Sequence, residues 1–233
     1  MEIRNIVILT GAGVSAESGL ATFRGPDGLW EGHRVEDVAT PEAFRRNPGL
    51  VHGFYDARRA KLGTVVPNEA HRALARLDRE WSGELLLVTQ NVDDLHERAG
   101  SKRLIHMHGE LTKGWCLNCN QRFDWSGPMG EQAFCPQCSS QGLVRPDIVW
   151  FGEMPYEMER IEQALHGCDL FLSIGTSGAV YPAAGFVQTA KYRGARTVEI
   201  NLEPSLGSYM FDETLTGRAG DLVPKWVDQL LSA

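Results

Sequence analysis

Two C-x-x-C pairs, Cys116-Leu117-Asn118-Cys119 and Cys135-Pro136-Gln137-Cys138, stand fifteen residues apart. Four thiolates at that spacing close a tetrahedral shell around zinc, as in a four-cysteine ribbon. No coordination position is left open, so the chemistry expected is structural: one zinc ion replaces the hydrophobic core that residues 115–145 lack. Two disulfides or an unligated set are the alternatives. The fifth cysteine, Cys168, precedes an apolar run and reads as a small buried hydrophobe.

A second constellation is "GAGVSA" (11–16), directly after the apolar run "IVILT". Gly11 suits a tight turn, Gly13 a close approach of backbone to a pyrophosphate, and Ala16 the contact between helix and sheet. Amides at the following helix start would face the phosphates. A merely structural glycine turn is the competing reading. Hydride-transferring enzymes of this design carry an acidic ribose reader about 20 residues on. Here that region is the loop-like "TFRGPDGLW", so dinucleotide binding fits and hydride transfer fits poorly.

Two further groups carry chemistry. "LLLVT" (85–89) runs into "QNVDDLH" (90–96), followed by "HMHGEL" (106–111), and the carboxyl end of a strand is where an α/β sheet places reactive groups. His106 and His108 are two apart and share one face of an extended segment, so spacing does not choose between them. On "LVHGFYDARRAKL", Val51, Tyr55, Arg58 and Leu62 share a helical face. An arginine there either grips a carboxylate or phosphate or snorkels into an internal contact.

The elements that must hold these groups alternate. Apolar runs at 6–10, 85–89, 170–175 and 197–201 read as buried parallel strands. Helical patterns at 68–81, 158–167 and 223–231 lie between them, which predicts a parallel α/β sheet with helices on both faces. Residues 40–62 read as two helices, with Thr40 and Asn47 as N-caps, Pro41 and Pro48 at first helical positions, and Gly63 as final C-cap. The expected division is a large domain from 1–35, 66–114 and 146–233, and a small one from 36–65 and 115–145.

Bulk properties narrow the partners. The 233 residues are 42% hydrophobic and carry a net charge of −7, which argues against a general binder of nucleic acid or membrane surfaces. A short basic peptide is an easier partner. The brief apolar run near the N-terminus is no signal-peptide core, and nothing reaches the roughly 18 apolar residues of a membrane span. A cytoplasmic location is expected, where five cysteines serve as metal ligands or buried thiols.

Together these residues resemble the sirtuins, NAD-dependent protein-lysine deacylases, over nearly the whole chain. The resemblance rests on "GAGVSAESGLATFRG", "TQNVDDLH", "HMHGEL", both C-x-x-C pairs, "VWFGE" (149–153), "GTS" (175–177) and "NLE" (201–203). "FYDARR" matches the class III branch at its Tyr-x-x-Arg pair, which binds the carboxylate of succinyl- and malonyl-lysine.

The resemblance implies a Rossmann-like domain, a small lobe of zinc ribbon plus helical insertion, and NAD and peptide in the cleft between. Gly11, Ala12, Gly13, Ala16, Glu17, Thr22, Phe23, Arg24 and Trp30 would wrap the NAD. Gln90, Asn91, Val92 and Asp93 would line its ribose and nicotinamide pocket, and Gly175, Thr176, Ser177, Asn201, Leu202, Glu203 and Ala219 the adenosine half. His108 would be the base, with Asn91 and Asp93 assisting catalysis. Tyr55 and Arg58 would read the acyl group, while Val149, Phe151, Gly152 and Glu153 paired with the peptide as an added strand.

NAD would be consumed as co-substrate: the acyl oxygen attacks the ribose carbon bearing nicotinamide, and His108 deprotonates the ribose hydroxyl that then attacks. Acyl-lysine proteins or peptides would be the partners and a monomer the expected state. An ADP-ribosyltransferase using the same cleft and a non-catalytic zinc-ribbon interaction protein are the rival readings.

Overall fold

The computed structural model describes residues 2–22, 30, 32–130 and 132–232. Strand β1 (Asn5–Thr10) runs into a single helical turn, α1 (Gly13–Ala16). A helical insertion follows: α2 (Val35–Val38), α3 (Pro41–Arg46) and α4 (Pro48–Leu62). The chain then returns through α5 (Glu69–Glu80), β2 (Glu84–Thr89), α6 (Leu95–Ala99) and β3 (Leu104–His106). A three-stranded unit comes next, β4 (Gly109–Cys116), β5 (Arg122–Asp124) and β6 (Val144–Ile148). The remaining elements are α7 (Met158–Gly167), β7 (Leu170–Ile174), α8 (Phe186–Tyr192), β8 (Arg196–Asn201), β9 (Glu213–Thr216) and α9 (Ala219–Leu231).

The main sheet has the order β3-β2-β1-β7-β8-β9 with every pairing parallel. Side chains of β1 alternate between its faces, as strand geometry requires. Ile6 and Ile8 pack with Leu74 and Leu77 of α5 and with Val223 and Val227 of α9. Val7 and Leu9 pack on the other side with Ile161 and Leu165 of α7 and Phe186 and Val187 of α8. Helices therefore cover both faces, as the alternation predicts. The chain winds outward from β1 to β2 and β3, then from β7 to β8 and β9. That reversal between β1 and β7 opens a crevice at the carboxyl ends of the two strands.

The insertion has its expected caps. Thr40 Oγ1 accepts from the Ala43 amide at 3.0 Å and Asn47 Oδ1 from the Leu50 amide at 3.1 Å, with Pro41 and Pro48 opening the two helices. Gly63 is the C-cap at φ −65°, so left-handed freedom is not what ends α4. The helices pack through Val51, Phe54, Tyr55 and Leu62 onto Leu111, Ile148 and Trp150. A fourth, small cluster joins Cys116 and Cys135 to Met129 and Val144. Cys168 is buried against the second face of the main sheet.

Helix α9 begins at Ala219, four residues before the periodicity predicts. Gly220 and Pro224 disguise its first turn, and the missing cap comes from far away: the Glu17 carboxylate accepts from the Gly220 amide at 2.8 Å. Among the described residues no helix is long and apolar enough to cross a membrane.

Candidate active site

A cleft of about 1350 Å³ lies over the carboxyl ends of β1 and β7 and continues beneath α4. That exceeds the ~300–1,000 Å³ of a typical small-molecule pocket, so a dinucleotide and a substrate side chain fit together. Every described residue that the sequence assigns to cofactor or substrate borders it, from Gly11 to Ala219. Phe23 and Arg24 lie outside the described residues.

Its floor is a crossing of two backbones. A Cβ on Gly11 would stand 2.8 Å from the Gly175 oxygen, and one on Gly13 2.7 Å from Gly175 Cα. Gly175 itself has φ +63°, and its Cβ would meet the Val14 nitrogen at 2.5 Å. The Gly13 amide donates to the Gly175 carbonyl at 2.9 Å. Gly13 is thus required by the loop after β7, and its N–H is engaged there instead of facing a phosphate.

Behind the floor sits a buried polar network. Asn91 Nδ2 donates to Ser15 Oγ at 3.1 Å, and Ser15 Oγ donates to Asp93 Oδ2 at 3.0 Å. Asp93 Oδ1 also accepts from the Leu95 amide at 3.1 Å, and Thr89 Oγ1 accepts from the Asn91 amide at 3.0 Å. Burial pushes the Asp93 carboxyl up, against those two donors. His71 Nε2 lies 3.4 Å from Ser15 Oγ while its Nδ1 accepts from the Asn68 amide at 3.3 Å. Burial brings His71 down to about 4, so it is neutral at pH 7. The effect is to fix the amide of Asn91 at the cleft wall.

The structure separates the two histidines. His106 turns to the back, with Nδ1 3.1 Å from the Asn91 carbonyl oxygen and Nε2 against Glu97. Burial opposes its charge, but the Glu97 bond and charge outweigh it and raise its pKa. His108 borders the cleft. Its Nδ1 lies 3.2 Å from the Gln90 carbonyl oxygen, a contact that only a protonated Nδ1 makes favourable, which leaves Nε2 as the basic nitrogen. Burial lowers the His108 pKa, so the free base prevails at neutral pH.

At the far end, Tyr55 and Arg58 face the cleft from α4. The Arg58 guanidinium lies over the rings of Phe54 and Trp30, 3.3 and 4.5 Å from their centroids, and donates to the Phe54 carbonyl at 3.0 Å. Trp150 Nε1 donates to the Tyr55 hydroxyl at 2.9 Å.

Strand β6 stops at Ile148, and residues 149–153 turn away, with Gly152 at φ +91°. The amides of Val149 and Phe151 are engaged by the carbonyls of His108 and Ala39 at 2.8 and 3.0 Å. The Glu153 carboxylate is engaged too, by Arg145 Nη1 and Nη2 at 2.6 and 3.0 Å and by the Trp150 amide at 2.9 Å. At the opposite end, Asn201 Nδ2 donates to the Thr176 carbonyl at 2.7 Å, shaping the loop at 175–177.

The four cysteine sulfurs lie within 4.8 Å of one another. Cys116–Cys138 and Cys119–Cys135 are each 3.7 Å apart. A disulfide needs about 2.05 Å, whereas a tetrahedron of Zn–S bonds near 2.3 Å has edges of about 3.8 Å. The donor set fits zinc. Asn118 Nδ2 donates to the Cys138 sulfur at 3.6 Å, an outer contact of the kind that orients metal ligands.

Ser15, His71, Arg145 and Trp150 escape sequence reasoning as site residues. Ser15, His71 and Trp150 act through partners distant in the chain: Ser15 lies 78 residues from Asp93 and 56 from His71, and Tyr55 95 from Trp150. Arg145 acts through Glu153, eight residues on, where neither residue type nor spacing marks a site.

A Rossmann-like sheet, a dinucleotide-sized cleft at its switch point and a four-cysteine ribbon define a nucleotide-dependent enzyme with a small zinc lobe. The Sir2 family profile matches residues 11–182, and the chain belongs to that family. A Shewanella oneidensis protein named NAD-dependent protein deacylase is 58% identical, covering 98% of this chain and 95% of the relative. One of that name from Bdellovibrio bacteriovorus is 57% identical, covering 98% and 97%. Among solved structures, a Sir2 homologue in complex with NAD is 41% identical with a TM-score of 0.90, covering 99% of this chain and 91% of that one. A Sir2 protein bound to a myristoylated histone peptide is 34% identical with a TM-score of 0.76, covering 98% and 92%.

Proposed function

We propose that this chain is an NAD-dependent protein-lysine deacylase that removes succinyl and malonyl as well as acetyl groups, releasing nicotinamide and O-acyl-ADP-ribose. The observation that carries the reading is that Tyr55 and Arg58 border the same cleft as Asn91 and His108. A phenol and a guanidinium together at the α4 end of that cleft suit a terminal carboxylate.

In this reading NAD and acyl-lysine are both substrates. The loops at 11–22 and 175–177 hold the dinucleotide, and Asn91, fixed by Ser15 and Asp93, orients its nicotinamide end. The acyl carbonyl oxygen displaces nicotinamide from the ribose carbon. His108 Nε2 accepts the proton of the ribose hydroxyl that then attacks the acyl carbon. The lysine amine, taking up a proton, leaves that carbon, and one water adds there to give O-acyl-ADP-ribose, the original acyl oxygen remaining on the ribose carbon. With the amides of Val149, Phe151 and Glu153 and the Trp150 carbonyl engaged within the protein, the segment would offer the carbonyls of Val149, Phe151 and Gly152 to the peptide backbone. Cys116, Cys119, Cys135 and Cys138 would hold a structural zinc, which supplies folding energy and no chemistry at the cleft.

Residues 36–65 and 115–145 form the small domain in this reading: the apolar cluster of 115–145 is its own, and that of 36–65 stands apart from the two faces of the main sheet while resting on Leu111, Ile148 and Trp150. Cysteines kept as thiols suit the cytoplasm. The test is nicotinamide release from acetyl-, succinyl- and malonyl-lysine peptides, with the product identified by mass. O-acyl-ADP-ribose supports the reading; ADP-ribosylated protein in its place overturns it.

A further inference from the structure

Trp150 lies between Val149 and Phe151, where the substrate peptide is expected, yet its indole is buried. The Arg145 guanidinium covers it, 3.4 Å from the ring centroid, and is itself held by Glu153 and by the Ile148 carbonyl at 2.7 Å. On another side it meets the ring of Tyr55 at 6.3 Å between centroids. Its one polar atom, Nε1, contacts the Tyr55 hydroxyl oxygen at 2.9 Å.

An indole N–H donates and never accepts. Tyr55 must therefore accept from Trp150, and the phenolic proton must point elsewhere. Among the described residues that proton reaches no acceptor, although Tyr55 is fully buried and borders the cleft. A buried hydroxyl proton without a partner is costly and marks a place for a ligand acceptor. Burial also pushes the Tyr55 pKa well above its ordinary value, so the proton stays on.

We propose that Trp150 is a positioning residue for acyl selectivity: its Nε1–H occupies one lone pair of the Tyr55 hydroxyl and directs the phenolic proton toward the carboxylate of a succinyl or malonyl group. Because Trp150 sits in the peptide-binding segment, the same indole ties the seating of the peptide to the reading of the acyl end. The inference rests on Tyr55 and Arg58 being carboxylate readers.

The experiment measures kcat and KM on succinyl- and acetyl-lysine peptides for the full chain and for Trp150→Phe (W150F), Tyr55→Phe (Y55F), Arg58→Met (R58M) and the W150F/Y55F double variant. W150F should lower the succinyl-to-acetyl ratio of kcat/KM about fivefold, the scale of one neutral hydrogen bond, with the loss in KM for the succinyl peptide. Y55F should lower it at least as far, and W150F should add nothing in the Y55F background. Where phenylalanine disturbs packing, benzothienylalanine at position 150 keeps the indole shape without the N–H and should give the same ratio.

An unchanged ratio in W150F, or W150F and Y55F effects that multiply, overturns the role of Trp150 while the carboxylate reading stands on R58M. If Y55F and R58M also leave the ratio unmoved, the carboxylate reading fails and this inference fails with it.

Discussion

Asn91 reaches Asp93 through Ser15: Asn91 Nδ2 to Ser15 Oγ at 3.1 Å, then Ser15 Oγ to Asp93 Oδ2 at 3.0 Å. Two residues of the loop after β2 are thereby fixed by one residue of the turn after β1. The pairing of β1 with β2, in register from Asn5↔Glu84 to Thr10↔Thr89, brings the two loops together. Sheet topology and site geometry are here the same fact.

His108 must be unprotonated to act as a base, and burial lowers its pKa below the usual 6.5. Activity should fall as pH drops through that lowered value and stay level above it. His108→Ala should reduce O-acyl-ADP-ribose formation by about 10²–10⁴ with little change in Tm. A pH–rate profile of kcat/KM and a melting curve check both.

His71 titrates at about 4 in the fold, against about 6.5 in an unfolded chain. The unfolded state therefore binds more protons between those values, and stability falls as pH drops from 6.5 toward 4. His71→Gln should remove that share of the slope. Denaturant titrations of both proteins at pH 7 and pH 5 give the comparison.

Zinc at the four cysteines should be stoichiometric, one ion per chain. Its removal by a chelator should unfold the segment around Met129 and Val144, because the small cluster there is built on the ligands themselves. Cys135→Ser should do the same without chelator. Metal analysis and amide exchange over residues 115–145 provide the readouts.

Gly175→Ala forces a side chain into a left-handed conformation and onto the Val14 nitrogen. The conformation alone costs about 1–3 kcal/mol, and the overlap must move the turn at Gly11–Val14. A lower Tm and weaker NAD binding should appear together, by melting and by calorimetry.

Much of this was legible in the chain because it is local. Apolar runs marked four of the six strands of the main sheet, side-chain chemistry at Thr40 and Asn47 marked two helix starts, and C-x-x-C spacing marked the metal ligands. Strand β9 gave no signal, since its four residues are polar or half-exposed at a sheet edge. The choice between His106 and His108 lay beyond periodicity, because it depends on Glu97 holding one ring away from the cleft and the Gln90 carbonyl meeting the other beside it. The contact of Gly13 with Gly175 is likewise out of reach of any local pattern, because the two lie far apart in the chain.

Carboxylate reading by Arg58 is tested most directly by comparing succinyl- with acetyl-lysine peptides in wild type and Arg58→Met. A charge-assisted hydrogen bond counts for about 1.5–3 kcal/mol, so the succinyl-to-acetyl ratio of kcat/KM should fall by roughly 10- to 150-fold. Equal losses on both peptides would contradict the account and leave Arg58 as a structural residue packed between Phe54 and Trp30.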